Sequence, residues 1–197
     1  MMALGYSILA ALIFIERIKN TFVNKEIYQK FKTVKETLLC GLMVVCYAGI
    51  FFMAYGHTFS GSYRVHIGSL VAGLLLLMTG VWYRSHSIQS LGKSWSVYRT
   101  PDHLETVVTS GAYHYARHPY YAASLVELMG YGFIFQSKEA IFIALGIYLP
   151  LLVWRSIVEE FFLRQKFPEA YATYCEKTPV IFNPLAEHGD RFTNQSP

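Results

Sequence analysis

The stretch that decides the fold is residues 119–157, PYYAASLVELMGYGFIF-QSKE-AIFIALGIYLPLLVWRSI. It contains two apolar runs, 119–135 and 140–157, and each approaches the length of about 20 residues with which a helix crosses the hydrocarbon core of a bilayer. Only the four residues 136–139 join the two runs. A connection this short predicts an antiparallel helical hairpin, whose second helix returns to the side of the membrane where the first began.

Three earlier apolar runs extend this pattern, at residues 1–15, 37–55 and 65–83. The sequence therefore predicts one all-α integral membrane domain over residues 1–197, with about five transmembrane helices. The first run is short and ends at Glu16 and Arg17, so a cleaved signal peptide is the alternative interpretation. No positive charge precedes its apolar stretch, as a signal peptide would require, and we therefore favour a retained span.

The distribution of Lys and Arg predicts the orientation. If all five runs cross, every one of the 17 Lys and Arg residues except Arg64 and Lys138 lies on the same side. Cationic loops stay in the cytoplasm, so we expect the N-terminus outside and the C-terminus in the cytoplasm. The long loop before the fourth helix and the segment after the fifth helix are then cytoplasmic as well.

Composition excludes several other classes of protein. Only 15% of the residues are charged, whereas soluble domains have about 25%. The net charge of +4 comes from cations scattered between apolar runs, so no nucleic-acid partner is expected. The three cysteines are an odd number without metal-ligand spacing, which predicts neither a disulfide framework nor a metal site. No GxGxxG motif is present, and this excludes a Rossmann-type cofactor site.

Two polar clusters lie at the cytoplasmic ends of the hairpin. The first is Arg117-His118-Pro119-Tyr120-Tyr121, in which proline fits the first turn of a helix. The second is Arg155 with Glu159 and Glu160. Taken separately, they resemble an interfacial anchor and an i,i+4 ion pair. Because the short hairpin brings both ends together, we favour a shared pocket.

Taken together, these motifs resemble the isoprenylcysteine carboxyl methyltransferase family, to which phospholipid methyltransferases are similar in this region. The resemblance rests on residues 107–113 (VVTSGAY), 117–121 (RHPYY), the Glu159-Glu160 pair, Phe167, and residues 171–174 (YATY). It covers about residues 91–184. It implies that S-adenosylmethionine binds in a cytoplasmic pocket, which is formed by the loop before the fourth helix and the helix after the fifth.

The resemblance also implies roles for individual residues. Glu159 corresponds to the carboxylate that holds the amino group of the cofactor, and Arg155 to the residue that faces the substrate. The full set of implied cofactor-binding residues is Glu105, Thr106, Val107, Val108, Tyr113, His118, Pro119, Tyr120, Tyr121 and Glu159. Two positions depart from the family pattern: Glu105 replaces a frequent His, and Pro168 replaces a common Gly.

Pro168 is expected to end one helix and begin another at Glu169. In that arrangement Phe167, Tyr171 and Tyr174 cover the site.

Glu127 is not explained by the family pattern. It lies about two turns inside the fourth apolar run, where an ionisable group needs a partner or a water-filled cavity. One interpretation is an ion pair with Arg84, His86 or Arg155. The other is a catalytic role, together with Arg155, in seating the head of the substrate.

We therefore expect methyl transfer from S-adenosylmethionine to a lipophilic or prenylated acceptor that enters from membrane lipid. Carboxyl methylation of an isoprenylcysteine-like or other isoprenoid acid is the favoured reaction. A carboxylate with a reference pKa of about 4 is already ionised and needs no general base. The alternatives are N-methylation of a phospholipid headgroup and a non-enzymatic membrane scaffold. Gly68, Gly73 and Gly80 are expected to permit close helix packing.

Overall fold

The structure, a computed structural model, describes residues 2–21, 34–59, 64–95 and 105–180. Within these ranges all regular secondary structure is helical. Residues 96–104 and 181–184 of the predicted catalytic region lie outside the described residues, as does Met1 of the first predicted span.

Each of the five predicted apolar runs is mostly helical, and the fifth is divided between two helices and a π turn. In chain order the helices are α1 (Met2–Thr21), α2 (Val34–His57), α3 (Ile67–Leu91), α4 (Ala112–Tyr115), α5 (Pro119–Ile134), α6 (Lys138–Ile143), α7 (Leu149–Lys166) and α8 (Pro168–Lys177). A π turn, Ala144–Tyr148, joins α6 to α7. It lies just before Pro150, which has no N–H to donate to the preceding turn of helix.

Three segments of the described chain are long and apolar enough to cross a membrane, namely Leu38–His57, Ile67–Leu91 and Lys138–Lys166. The helix α5 is shorter, with 16 residues. The helix α1 has 20 residues, but Glu16, Arg17 and Lys19 lie near its C-terminal end. The expectation of a multi-span helical protein is thus met by three helices, and five crossings stay a prediction.

Glycines bring α3 and α5 into backbone contact. A Cβ atom on Gly73 would lie 2.6 Å from the backbone nitrogen of Ile134, and one on Gly80 would lie 2.9 Å from that of Glu127. The predicted packing role is therefore confirmed at these two positions. It is wrong at Gly68, where a Cβ would meet no described atom within 4 Å because the residue lies on the exposed side of the helix.

The predicted hairpin between α5 and α6 is confirmed. Gln136 turns the chain with a φ angle of 53°. The Ser137 hydroxyl then caps α6 by accepting a hydrogen bond from the backbone nitrogen of Ala140, at 3.2 Å. The chain consequently reverses within a few residues, and the start of α5 meets the end of α7 at the opposite end of the bundle.

Aromatic side chains attach α1 and α2 to α5. Phe14 of α1 stacks on Phe51 of α2 with ring centroids 4.2 Å apart. Phe51 in turn meets Tyr131 of α5 edge to face, at 4.9 Å. These contacts form the centre of the main buried apolar cluster.

Candidate functional site

The two polar clusters predicted to share a pocket do meet. The Tyr121 hydroxyl donates a hydrogen bond to Oε2 of Glu159 at 2.7 Å. His118 Nε2 lies 3.2 Å from Oε1 of Glu160, and an Nη atom of Arg117 lies 2.9 Å from that same oxygen. The start of α5 is thereby joined to the end of α7.

Beside this junction is a partly open cavity of about 420 Å³, a volume that includes its solvent-filled mouth. Apolar, aromatic and ionisable side chains all contribute to its wall. The lining residues are Leu91, Val107, Val108, Tyr113, Arg117, Glu159, Leu163, Tyr171 and Tyr174.

A glycine turn positions one wall of the cavity. Gly111 has a φ angle of 63°, and a Cβ there would lie 2.2 Å from the Ser90 hydroxyl oxygen of α3. Only glycine fits both the backbone conformation and the space. The Ser90 hydroxyl instead accepts a hydrogen bond from the Ala112 backbone nitrogen at 3.1 Å. This bond begins α4, and α4 directs Tyr113 into the cavity.

The helix α8 covers the cavity from the other side. The helix α7 ends at Lys166 and α8 begins at Pro168, so the predicted break at this proline is confirmed. The Tyr174 hydroxyl donates a hydrogen bond to the carbonyl oxygen of Tyr113 at 2.6 Å. Burial raises the pKa of the Tyr174 phenol, so it remains a protonated donor at neutral pH.

Three buried polar atoms around the cavity have no hydrogen-bond partner within the described part of the chain. They are Nε of Arg117, Nδ1 of His118 and the hydroxyl oxygen of Tyr171. Leaving such an atom unsatisfied costs about 1–3 kcal/mol. Arg117 and Tyr171 line the cavity and His118 follows Arg117 in the chain, so a polar ligand in the cavity would find hydrogen-bonding groups there. Tyr131 and Gln136, which do not line the cavity, also have buried polar atoms without a partner among the described residues.

Arg155 lies beneath this junction, one helical turn before Glu159. Its side chain is buried, with 4% of the residue exposed. It lies beside the Tyr121 phenol, the Cys40 thiol of α2 and the Glu159 carboxylate. Arg155 is therefore a buried cation one turn further inside the candidate span Lys138–Lys166 than Glu159.

The structure distributes the predicted cofactor-binding residues over three kinds of position. Val107, Val108, Tyr113 and Glu159 line the cavity. His118 and Tyr121 stack on each other, with ring centroids 5.5 Å apart, and contact the Glu160 and Glu159 carboxylates. Their cofactor contacts stay a prediction.

The remaining predicted residues lie further from the cavity wall. Pro119 is the buried first residue of α5, and Tyr120 packs on Trp95 at 4.6 Å between ring centroids. Glu105 and Thr106 are exposed just before the lining residue Val107.

Glu127 lies away from the cavity, in a buried ionic cluster. Its Oε1 accepts from Nε of Arg84 at 2.6 Å, and its Oε2 accepts from Arg17 at 2.5 Å. Oε2 also accepts from the Tyr47 hydroxyl at 2.8 Å, and Arg84 reaches Glu16 at 2.5 Å. The predicted pairing with Arg84 is confirmed. A role of Glu127 toward the substrate stays a prediction.

Sequence reasoning missed Arg17 as a partner of Glu127. Glu16 and Arg17 served only to mark the end of the first apolar run. An adjacent pair of opposite charges at a span end can complement a charge on a neighbouring helix, and this was the available signal. Arg117 was likewise part of a quoted motif, but it had no assigned role although it lines the cavity.

The chain belongs to the phospholipid methyltransferase family, whose model matches residues 69–170. That segment runs from α3 to the start of α8 and includes most of the cavity wall. The chain is similar to the cobalt-zinc-cadmium resistance protein CzcN of Cupriavidus metallidurans, with 32% identity over 125 residues. The matched region is 60% of this chain and 54% of CzcN, so the chain spans about half the length of that relative. No solved structure matches the chain significantly.

Proposed function

We propose that the protein transfers the methyl group of S-adenosylmethionine to the carboxylate of a lipophilic acceptor that enters from the bilayer. The observation that carries the proposal is the cavity at the junction of α5, α7 and α8. Its wall combines the Glu159 carboxylate with Arg117 and Tyr171, each of which has a buried polar atom without a partner among the described residues, in a chain that belongs to a methyltransferase family. In this proposal the cavity faces the cytoplasm, where the cofactor is dissolved.

The residues present fit this cofactor. The Glu159 carboxylate suits its ammonium group, and Val107, Val108 and Tyr113 offer apolar and aromatic surface for adenine and ribose. The unpaired atoms of Arg117, His118 and Tyr171 supply donors or acceptors for its remaining polar groups. S-adenosylmethionine supplies an electrophilic methyl group on a sulfonium, which a nucleophile displaces in line.

Arg155 is the proposed acceptor-binding residue. It is a buried guanidinium on the bilayer side of Glu159, so it is suited to meet a carboxylate that arrives from lipid. An acceptor carboxylate is already ionised, so the protein has mainly to align the two reactants and exclude water. The aromatic side chains that cover the cavity, Tyr171 and Tyr174, serve that exclusion.

N-methylation of a phospholipid headgroup is the second candidate, and the description of the matching family favours it. An amine acceptor must lose a proton, for which His118 is placed beside the cavity. Glu127 is less suited to accept a proton, because Arg17, Arg84 and Tyr47 already donate to its carboxylate.

The test uses purified protein in lipid nanodiscs with S-adenosylmethionine labelled in its methyl group. One arm supplies an isoprenoid carboxylic acid, and the other supplies phosphatidylethanolamine. We expect labelled product from the acid, and mild base should release the label because it cleaves a methyl ester. Base-stable label on phosphatidylethanolamine would favour the second candidate. Absence of transfer to either acceptor would contradict the acceptor class proposed here.

The Arg155→Leu variant tests the acceptor role within the same assay. We expect it to abolish turnover while cofactor affinity stays within a few fold, because Glu159 remains. The matched control is Arg64→Leu, which removes an exposed cation near the other end of the bundle. If Arg155→Leu loses cofactor binding as severely as Glu159→Ala, the proposed division between acceptor and cofactor residues is wrong.

The proposed orientation has a separate test. A single cysteine introduced at Lys93, next to the cavity residue Leu91, should resist membrane-impermeant labelling in intact cells. External labelling at that site would place the cavity on the wrong side for this proposal.

A further inference from the structure

The ionic cluster around Glu127 is balanced between two parts of the chain. Arg84 and Glu127 lie inside the segment matched by the family model, and Glu16 and Arg17 of α1 lie outside it. Each part contributes one carboxylate and one guanidinium. The helix α1 can therefore pack on α3 and α5 without adding net charge to the interior, where an unpaired charge is costly.

Arg17 connects this cluster to Tyr120 by two routes. Its guanidinium carbon lies 3.9 Å from the ring centroid of Tyr47 and 5.7 Å from that of Tyr120, both within cation–π range. Arg17 also donates to the Ser124 hydroxyl at 2.9 Å, and Ser124 donates to the carbonyl oxygen of Tyr120 at 2.8 Å. Both the ring and the backbone of Tyr120 are thus linked to Arg17.

Tyr120 continues this connection to the wall of the cavity. Its ring packs on Trp95 with centroids 4.6 Å apart. Trp95 belongs to a small buried cluster with Leu91 and Tyr113, against which Tyr120 and Val108 pack. Leu91, Tyr113 and Val108 all line the cavity. A shift of Tyr120 would therefore be transmitted to three lining residues.

We propose that Arg17 is a positioning residue for the cofactor cavity, and that it acts from α1 through Tyr120 and Trp95. The inference rests on the proposed function, because the cavity is taken to bind S-adenosylmethionine. It assigns to α1, which lies outside the matched family segment, a part in shaping the site.

Cofactor affinity and folding stability separate this role from a merely structural one. Arg17→Met should lower the unfolding temperature in detergent and weaken S-adenosylmethionine binding roughly tenfold, because Tyr120 loses its cation. The matched control is Glu16→Gln, which breaks another ion pair of the same cluster without touching Tyr120. It should lower stability and keep the affinity within about twofold of wild type.

A double variant covers the case in which Arg17→Met does not fold. Arg17→Met combined with Glu127→Gln removes one charge of each sign, so the interior stays neutral and folding is favoured. It should show the same loss of affinity. Affinity within about twofold of wild type, in either Arg17 variant that folds, overturns the proposal.

Trp95 provides a readout that does not depend on cofactor binding. Trp82 and Trp154 are exposed, whereas Trp95 is buried. Replacing Trp82 and Trp154 with Phe leaves Trp95 as the one tryptophan whose fluorescence is measured. Its emission should shift with Arg17→Met and not with Glu16→Gln. If wild-type protein binds no S-adenosylmethionine, the proposed function fails, and this emission alone decides the inference. Unchanged emission would then overturn it.

Discussion

Two polar regions on α5 differ in how their buried groups are satisfied. Around Glu127, two carboxylates and two guanidinium groups bond to one another, and a tyrosine and a serine add further hydrogen bonds. Around His118, nine residues earlier at the start of the same helix, three buried nitrogen and oxygen atoms have no protein partner within the described residues. The carboxylates and guanidinium groups around Glu127 bond to partners within the protein, whereas the groups around His118 leave atoms that the proposed ligand would contact.

The largest expected effect is a loss of folding stability in the ionic cluster around Glu127. Glu127→Ala leaves Arg17 and Arg84 without their shared carboxylate, and we expect it to lower the free energy of unfolding by about 3–5 kcal/mol. Denaturant unfolding in detergent micelles would measure this loss. The control Glu176→Ala removes an exposed carboxylate of α8 and should change stability little. Unchanged stability of Glu127→Ala, together with lost acceptor turnover, would instead support a substrate role for Glu127.

A smaller effect is expected where the backbones of the two core helices meet. Gly80→Ala would place a Cβ 2.7 Å from Cγ of Glu127, so α3 and α5 would have to separate. We expect a loss of about 1–3 kcal/mol. Gly68→Ala is the matched control in the same helix, since its Cβ meets no described atom within 4 Å. It should be neutral or stabilising by up to about 1 kcal/mol. Equal effects of the two variants would contradict the packing described here.

The smallest effect compares two tyrosines of α8. Tyr171→Phe removes a buried hydroxyl that has no hydrogen-bond partner among the described residues, so the protein without cofactor should be unchanged or more stable by up to about 1 kcal/mol. Tyr174→Phe removes the hydrogen bond to Tyr113 and should lose about 1 kcal/mol. Melting temperatures with and without S-adenosylmethionine check both. A loss of stability in Tyr171→Phe without cofactor would mean that its hydroxyl is already satisfied by the protein.

The sequence predicted the elements whose signals are local. Apolar runs predicted the helices, Gln136 to Glu139 predicted the hairpin, and Pro168 predicted the break before α8. The hairpin also predicted the meeting of Tyr121 with Glu159, because a short connection restricts where two helix ends can lie.

The partners of Glu127 in the ionic cluster could not be predicted in full from the spacing of residues in the sequence. The partner Arg17 lies 110 residues from Glu127 in the chain. Nothing in the periodicity of α1 indicates which helix it packs against. The exposed side of α3 at Gly68 was missed for the same reason, since a glycine in an apolar helix does not reveal which face is buried.

The central claim is that the cavity beside Glu159 binds S-adenosylmethionine, and calorimetric titration of the purified protein tests it most directly. We expect saturable binding of S-adenosylmethionine. Glu159→Ala should weaken binding by about 1.5–3 kcal/mol, or one to two decades in affinity, because a charge-assisted hydrogen bond to the ammonium is lost. The control Glu176→Ala should bind as wild type does. Equal affinity of wild type and folded Glu159→Ala would contradict the claim.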